Sequence, residues 1–216
     1  MKWPLIDEGL LTGLGLGFIA VLLSGISDRA TDALRGWAGH HQTSQDGLPS
    51  YDVRQDFTVK LSPGNRGIFE TLYWMAQLVR RDIHDPMVRA QALDIVENFH
   101  GHDFDNEIDA LFRFVRDRIT YRRDPVDQER VQDTRRTLFE FQSGDCDDKV
   151  VALASLLGAI GHRSRFCVCG HTADNFSHVY LQVDAGGQWK SLDPTDERAV
   201  PGWETTAPYK CAYEIW

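Results

Sequence analysis

An α+β fold, helices first and an antiparallel sheet last, is predicted by three observations. Apolar residues recur at helical spacing from Ile68 to Ile119. A nearly all-apolar stretch, Val150 to Leu157, opens just after Cys146. Three alternating, strand-like segments follow Arg163. Helices that precede a meander of short strands make an α+β arrangement rather than a parallel α/β one.

The helical part has three stripes. Ile68 to Ile83 carries Ile68, Leu72, Met75, Ala76 and Val79 on one face; Met87 to Phe99 carries Val88, Ala92, Ile95, Val96 and Phe99; Asp105 to Ile119 carries Ile108, Leu111, Phe112, Val115 and Ile119. Such stripes are core faces. Ser143-Gly144-Asp145 is a turn-and-cap sequence, so a fourth helix starts at Cys146 and ends near Gly158 and Gly161. It is apolar almost all round and therefore central. Strands are expected over Arg163 to Cys169, Ser177 to Val183 and Gln188 to Leu192, with Ala185-Gly186-Gly187 as a hairpin turn. Tyr51 to Leu61 alternates and predicts a further strand.

The chain divides into residues 1–34, a hydrophobic glycine-striped helix; 35–50, a Gly- and Pro-containing linker; and 51–216, the folded domain. Gly9 to Ser27 holds no charged residue, which is close to the roughly 20 residues a bilayer-spanning helix needs. Gly9, Gly13 and Gly17 would give such a helix a smooth stripe that admits a close neighbour. Asp7 and Glu8 stand where a signal peptide carries positive charge. The run is thus expected to meet a membrane or other proteins of an assembly.

Composition is globular, with 42% hydrophobic and 25% charged residues. A net charge of -9 argues against nucleic acid as a partner. Arg116, Arg118, Arg122 and Arg123 cluster, and a solvated helix end accounts for them. Four cysteines make no disulfide framework in a chain of this length. Cys167 and Cys169, with His171 nearby, could suggest a metal, but two cysteines on one strand face are expected to be buried thiols. His100, His102 and Asp103 belong to a polar turn. No metal and no cofactor are expected.

The chemistry-bearing residues are Cys146, His178 and Asp193, in that order. A cysteine at a helix start faces unpaired N–H groups and the positive end of the dipole, which favour a thiolate. Asp145, Asp147 and Asp148 oppose it, so an imidazolium is needed. His178 lies on a predicted strand, and Asp193 closes the next one, where it can hold the far ring nitrogen.

Gly144-Asp145-Cys146-Asp147-Asp148, Ser177-His178-Val179 and Leu192-Asp193-Pro194-Thr195 resemble the three blocks of the transglutaminase-like superfamily. Phe114 to Tyr121 is similar to the helix and turn upstream of that cysteine in microbial members, and the resemblance spans about 103–201. It implies a papain-like α+β fold and acyl transfer on a peptide or protein amide. Cys146 would be the nucleophile, His178 the proton carrier and Asp193 its orienter. Gln142 would be a side-chain oxyanion donor, by analogy with the glutamine of papain-like enzymes. Asp145 and Asp147 replace the Gln and Trp that flank the cysteine in animal transglutaminases, so neither protein cross-linking nor calcium dependence is implied.

The pattern from Leu61-Ser62-Pro63-Gly64 to Asp124-Pro125 resembles transglutaminase-like proteins of tailed phages and prophages. That likeness implies a virion location, with other virion proteins or a membrane meeting residues 9–27. The bacterial cytoplasm or membrane is the other expectation. A structural tail or virion protein with an idle triad is the competing functional reading.

Overall fold

The computed structural model describes residues 60–99, 103–125 and 129–216. The N-terminal run, the linker, nearly all of the strand expected over Tyr51 to Leu61, and the His100 and His102 turn lie outside the described residues. The described elements belong to one compact unit, Leu61–Trp216.

Three helices come first, as their periodicity requires. Helix α1 spans Asn65–Asp82 and buries Leu72, Met75, Ala76 and Val79. It follows Ser62, whose N–H and hydroxyl both donate to Glu70 at 2.8 Å. Helix α2 spans Pro86–Val96. Asp85 caps it by accepting from the Met87 and Val88 N–H groups, and Pro86 takes the first position, where a missing N–H costs nothing. Helix α3 spans Phe104–Arg118, with Asp105 and Glu107 in its first turn and Arg116 and Arg118 in its last, matching the helix dipole.

The chain then makes a short strand β1, Thr120–Tyr121, and later a π-helical turn, Arg136–Phe141. That turn closes on Gln142 at φ 49°, a left-handed conformation that non-glycine residues seldom adopt. Strand β2, Ser143–Gly144, pairs parallel with β1 and leads directly into helix α4, Cys146–Ala159. Helix α4 is the centre of the domain. Residues 150–154, 156 and 157 are wholly buried, and the helix packs on α1, α2, α3 and the sheet. Each large apolar side chain so buried contributes about 1.5–3 kcal/mol.

Strands β3 (Ser164–Gly170), β4 (His178–Asp184), β5 (Trp189–Leu192) and β6 (Tyr209–Glu214) form one antiparallel sheet in the order β5-β4-β3-β6. Phe166, Val168, Val179, Leu181, Val183 and Leu192 join the main core with α4. Cys167, Cys169 and Tyr180 cluster with Ala207 apart from it. The two cysteines are therefore the buried thiols that strand alternation predicts, and His171 is exposed. Gly186 and Gly187, both at positive φ, make the expected hairpin.

Arg116 departs from the solvated reading of its cluster. Its side chain is 10% exposed, stacks 5.4 Å over Phe112 and donates to the Ala199 carbonyl at 2.6 Å. Among the described residues no helix is long and apolar enough to cross a membrane.

The register Cys169↔His178 depends on how the chain returns between β3 and β4. The Ser177 N–H donates to the Cys169 carbonyl at 3.0 Å, and the Asn65 side chain holds Ala173 and Phe176. Gly170 lets this loop come close: a Cβ there would sit 2.2 Å from the Asn175 carbonyl oxygen. Gly170→Ala should lower stability by about 1–3 kcal/mol, since a fixed backbone oxygen cannot give way. A lowered thermal midpoint is the expected result, and an unchanged one would show that the loop adapts freely.

Candidate active site

The nucleophile candidate is set by a tight turn. Asp145 caps α4 and Cys146 is its first residue. Behind them the Asp148 carboxylate accepts from the Gln132 N–H at 2.7 Å, from the Gln132 side-chain amide, and from the Asp145 N–H at 3.3 Å. Gly144 is a glycine because a Cβ there would lie 2.4 Å from the Asp148 Cβ. The Gly-Asp-Cys-Asp-Asp block is therefore packing as well as chemistry.

His178 begins β4, and Asp193 follows the end of β5. The β4–β5 pairing, Leu181↔Leu192, brings them together. His178 Nε2 and Asp193 Oδ2 are 2.7 Å apart. The other Asp193 oxygen accepts from the Thr195 N–H at 3.1 Å and from its hydroxyl at 2.6 Å. Asp193 is 3% exposed. Cys146 lies close enough to the His178 ring to help raise its pKa. The structure thus brings His178 and Asp193 into contact, with Cys146 in the neighbourhood of the ring.

Electrostatics follow from this contact. Burial alone would depress the pKa of His178, but the hydrogen bonds and negative charges of Asp193 and Cys146 outweigh it and push it up to about 10. Burial would raise the Asp193 carboxyl; the His178 bond and charge, with the Thr195 donors, hold it below the usual carboxylate range. An imidazolium facing a carboxylate is the outcome at neutral pH.

Asp145, Asp147 and Asp148 gather carboxylate oxygens within 4.8 Å of one another, a donor set suited to a hard cation. Desolvation pushes the Asp147 carboxyl well above its ordinary range and Asp148 up to about 7.

A cleft of about 580 Å³ opens beside His178 and Asp193, lined also by Tyr121, Trp203, Thr205 and the Thr195–Arg198 segment; Cys146 is not among its lining residues. Gln142 is exposed and is not among the lining residues. Several contributors escape sequence reasoning. Gln132 carries no local motif. Tyr121 and Trp203 look like ordinary aromatics. Thr195 had a signal: an Asp with a Thr two residues on is a turn that bonds the carboxylate locally.

Residues 93–194 match the model of the transglutaminase-like superfamily. The match covers a little under half of the chain, and it is over those residues that the chain is similar to the family. Solved structures that align with it include a candidate cysteine protease from Cytophaga hutchinsonii, at 16% identity and TM-score 0.42, over 59% of this chain and 46% of that one. The periplasmic domain of TgpA from Pseudomonas aeruginosa, bound to ethylmercury, aligns at 22% identity and TM-score 0.40, over 56% and 49%. LapG from Legionella pneumophila aligns at 13% identity and TM-score 0.41, over 60% and 76%. The chain spans less than half the length of the first two. No curated protein matches its sequence.

The raised His178 pKa makes the stability of the domain depend on pH. Between the ordinary value of 6.5 and about 10 the folded state binds a proton that the unfolded chain does not. The pair's contribution is then complete below 6.5 and disappears as pH climbs through about 10. Thermal unfolding of wild type and Asp193→Asn across this range should show a gap that narrows as pH rises. A gap independent of pH would contradict the pairing.

Proposed function

We propose that the domain is a thiol-dependent acyl-transfer enzyme acting on a peptide or protein amide through Cys146, His178 and Asp193. The Cys146 sulfur forms a bond to the amide carbon, giving a tetrahedral oxyanion. His178 delivers its proton to the leaving nitrogen as the C–N bond breaks. The thioester is then attacked by water or an amine whose proton passes to His178, and the thiol is regenerated. Asp193 holds the ring and its charge throughout. The Cys146 backbone N–H, unpaired within the helix, is one oxyanion donor.

The observation that carries this reading is His178 bonded to the buried Asp193 carboxylate at 2.7 Å, with Cys146 near enough to help raise the pKa of the ring. A cleft beside that contact gives a substrate access. The uncharged run Gly9–Ser27 supports a second reading, in which the chain is a virion or membrane-associated component and the triad is idle.

The test is acylation of the full chain by p-nitrophenyl acetate, followed by release of nitrophenolate and by mass analysis of peptides. An acyl group on the Cys146 peptide is expected in wild type and none in Cys146→Ala. Acylation that persists in Cys146→Ala would overturn the enzymatic reading, and wild type that never acylates would favour the idle triad.

A further inference from the structure

Glu204 stands between Trp203 and Thr205, which both line the cleft. Its own carboxylate turns to the sheet instead. It accepts from the Tyr180 hydroxyl at 2.6 Å and the Ser191 hydroxyl at 3.3 Å, and pairs with the Lys210 ammonium at 2.8 Å. These partners lie on β4, β5 and β6, so one side chain ties the cleft-side segment to three strands. Tyr180 is 1% exposed, and its ring stacks on that of His178 with centroids 6.5 Å apart and planes 23° apart. The Cys167 thiol donates to the same phenol oxygen at 2.9 Å, so proton donors run in one direction, from Cys167 through Tyr180 to Glu204.

We propose that Glu204 is a positioning residue that fastens the Trp203–Thr205 wall of the cleft to the strand bearing His178, and thereby sets how tightly the cleft grips the acyl part of a substrate. The proposal rests on the acyl-transfer reading of the same cleft. The geometry separates this role from simple loop anchoring. The backbone already holds the segment through Gly202 N–H to the Ser191 carbonyl at 2.8 Å and Trp203 N–H to the Val200 carbonyl at 2.8 Å. Glu204 adds a charged tie at the point where the wall meets the layer under the histidine. Holding a wall in one conformation favours binding because less ordering is left to be done when the substrate arrives. Glu204 is itself partly exposed, so its loss removes bonds without opening the core.

The test compares full-length wild type, Glu204→Ala, Glu204→Gln and Tyr180→Phe. Each is inactivated with iodoacetamide, which needs only the sulfur, and with a dipeptidyl fluoromethyl ketone, which must occupy the cleft. In Glu204→Ala the concentration of peptidyl probe that half-saturates inactivation should rise about tenfold, the scale of losing charge-assisted hydrogen bonds. The maximal rate and the iodoacetamide rate should stay within about twofold, because the reacting atoms are untouched. Glu204→Gln, which keeps the shape of the acceptor, and Tyr180→Phe should fall between. Acrylamide quenching, taken as the difference from matched Trp203→Phe proteins, should show Trp203 more accessible in Glu204→Ala. Unchanged half-saturation, unchanged quenching, or an iodoacetamide rate that falls in step with the peptidyl rate would overturn the proposal. If wild-type Cys146 resists both reagents, the acyl-transfer reading fails, and quenching alone then decides whether Glu204 holds the wall.

Discussion

A half-buried charge pair, His178 with Asp193 at 2.7 Å, is the constraint on which the rest of the site depends. Taking an imidazolium and a carboxylate out of water is costly, and the cost is offset only when the remaining lone pairs are satisfied. Here they are. Asp193 has two Thr195 donors on its second oxygen, and the His178 side chain, 27% exposed, keeps contact with solvent. The pair also fixes which ring nitrogen Asp193 engages, so strand register and proton chemistry become one matter.

The surroundings of Cys146 serve the same end. Gly144 permits the turn, Asp148 ties it to Gln132, and the β1–β2 pairing sets Tyr121 against the cleft. Lys149, three residues after Cys146, is 2% exposed and donates to the Ile119 carbonyl at 2.8 Å and the Arg116 carbonyl at 3.2 Å. Burial pulls its pKa down to about 8. That ammonium locks the last turn of α3 to the catalytic helix. Arg116 extends the tie to Ala199, beyond the cleft-lining segment. Cleft wall, nucleophile helix and histidine strand are thus joined by buried polar groups rather than by apolar packing alone.

Much of this was legible in the sequence, for physical reasons. Helix α4 announced itself because a centrally buried helix must be apolar on every side. Cys146 was marked by the cap at Asp145, and the His178–Asp193 pairing by two strands joined through Gly186 and Gly187. The transglutaminase-like blocks named the three residues together. Strand β6 was missed because its residues Tyr209–Glu214 are mostly exposed or half-buried and give no clean alternation. The π-helical turn and the left-handed Gln142 leave no periodic signal at all. Gln132, Lys149 and Glu204 act through partners that are distant in sequence, and only the folded chain brings those partners within reach. Arg116 looked like surface charge because a long side chain can bury its guanidinium without any change in pattern.

The most direct test of the central pair is a nitrogen NMR titration of His178 in the intact chain, assigned by comparison with His178→Gln. A ring paired with Asp193 and close to Cys146 should stay doubly protonated through neutrality and lose its proton near pH 10. Loss of that proton near the ordinary value of 6.5 would contradict the pairing, and with it the acyl-transfer mechanism that depends on it.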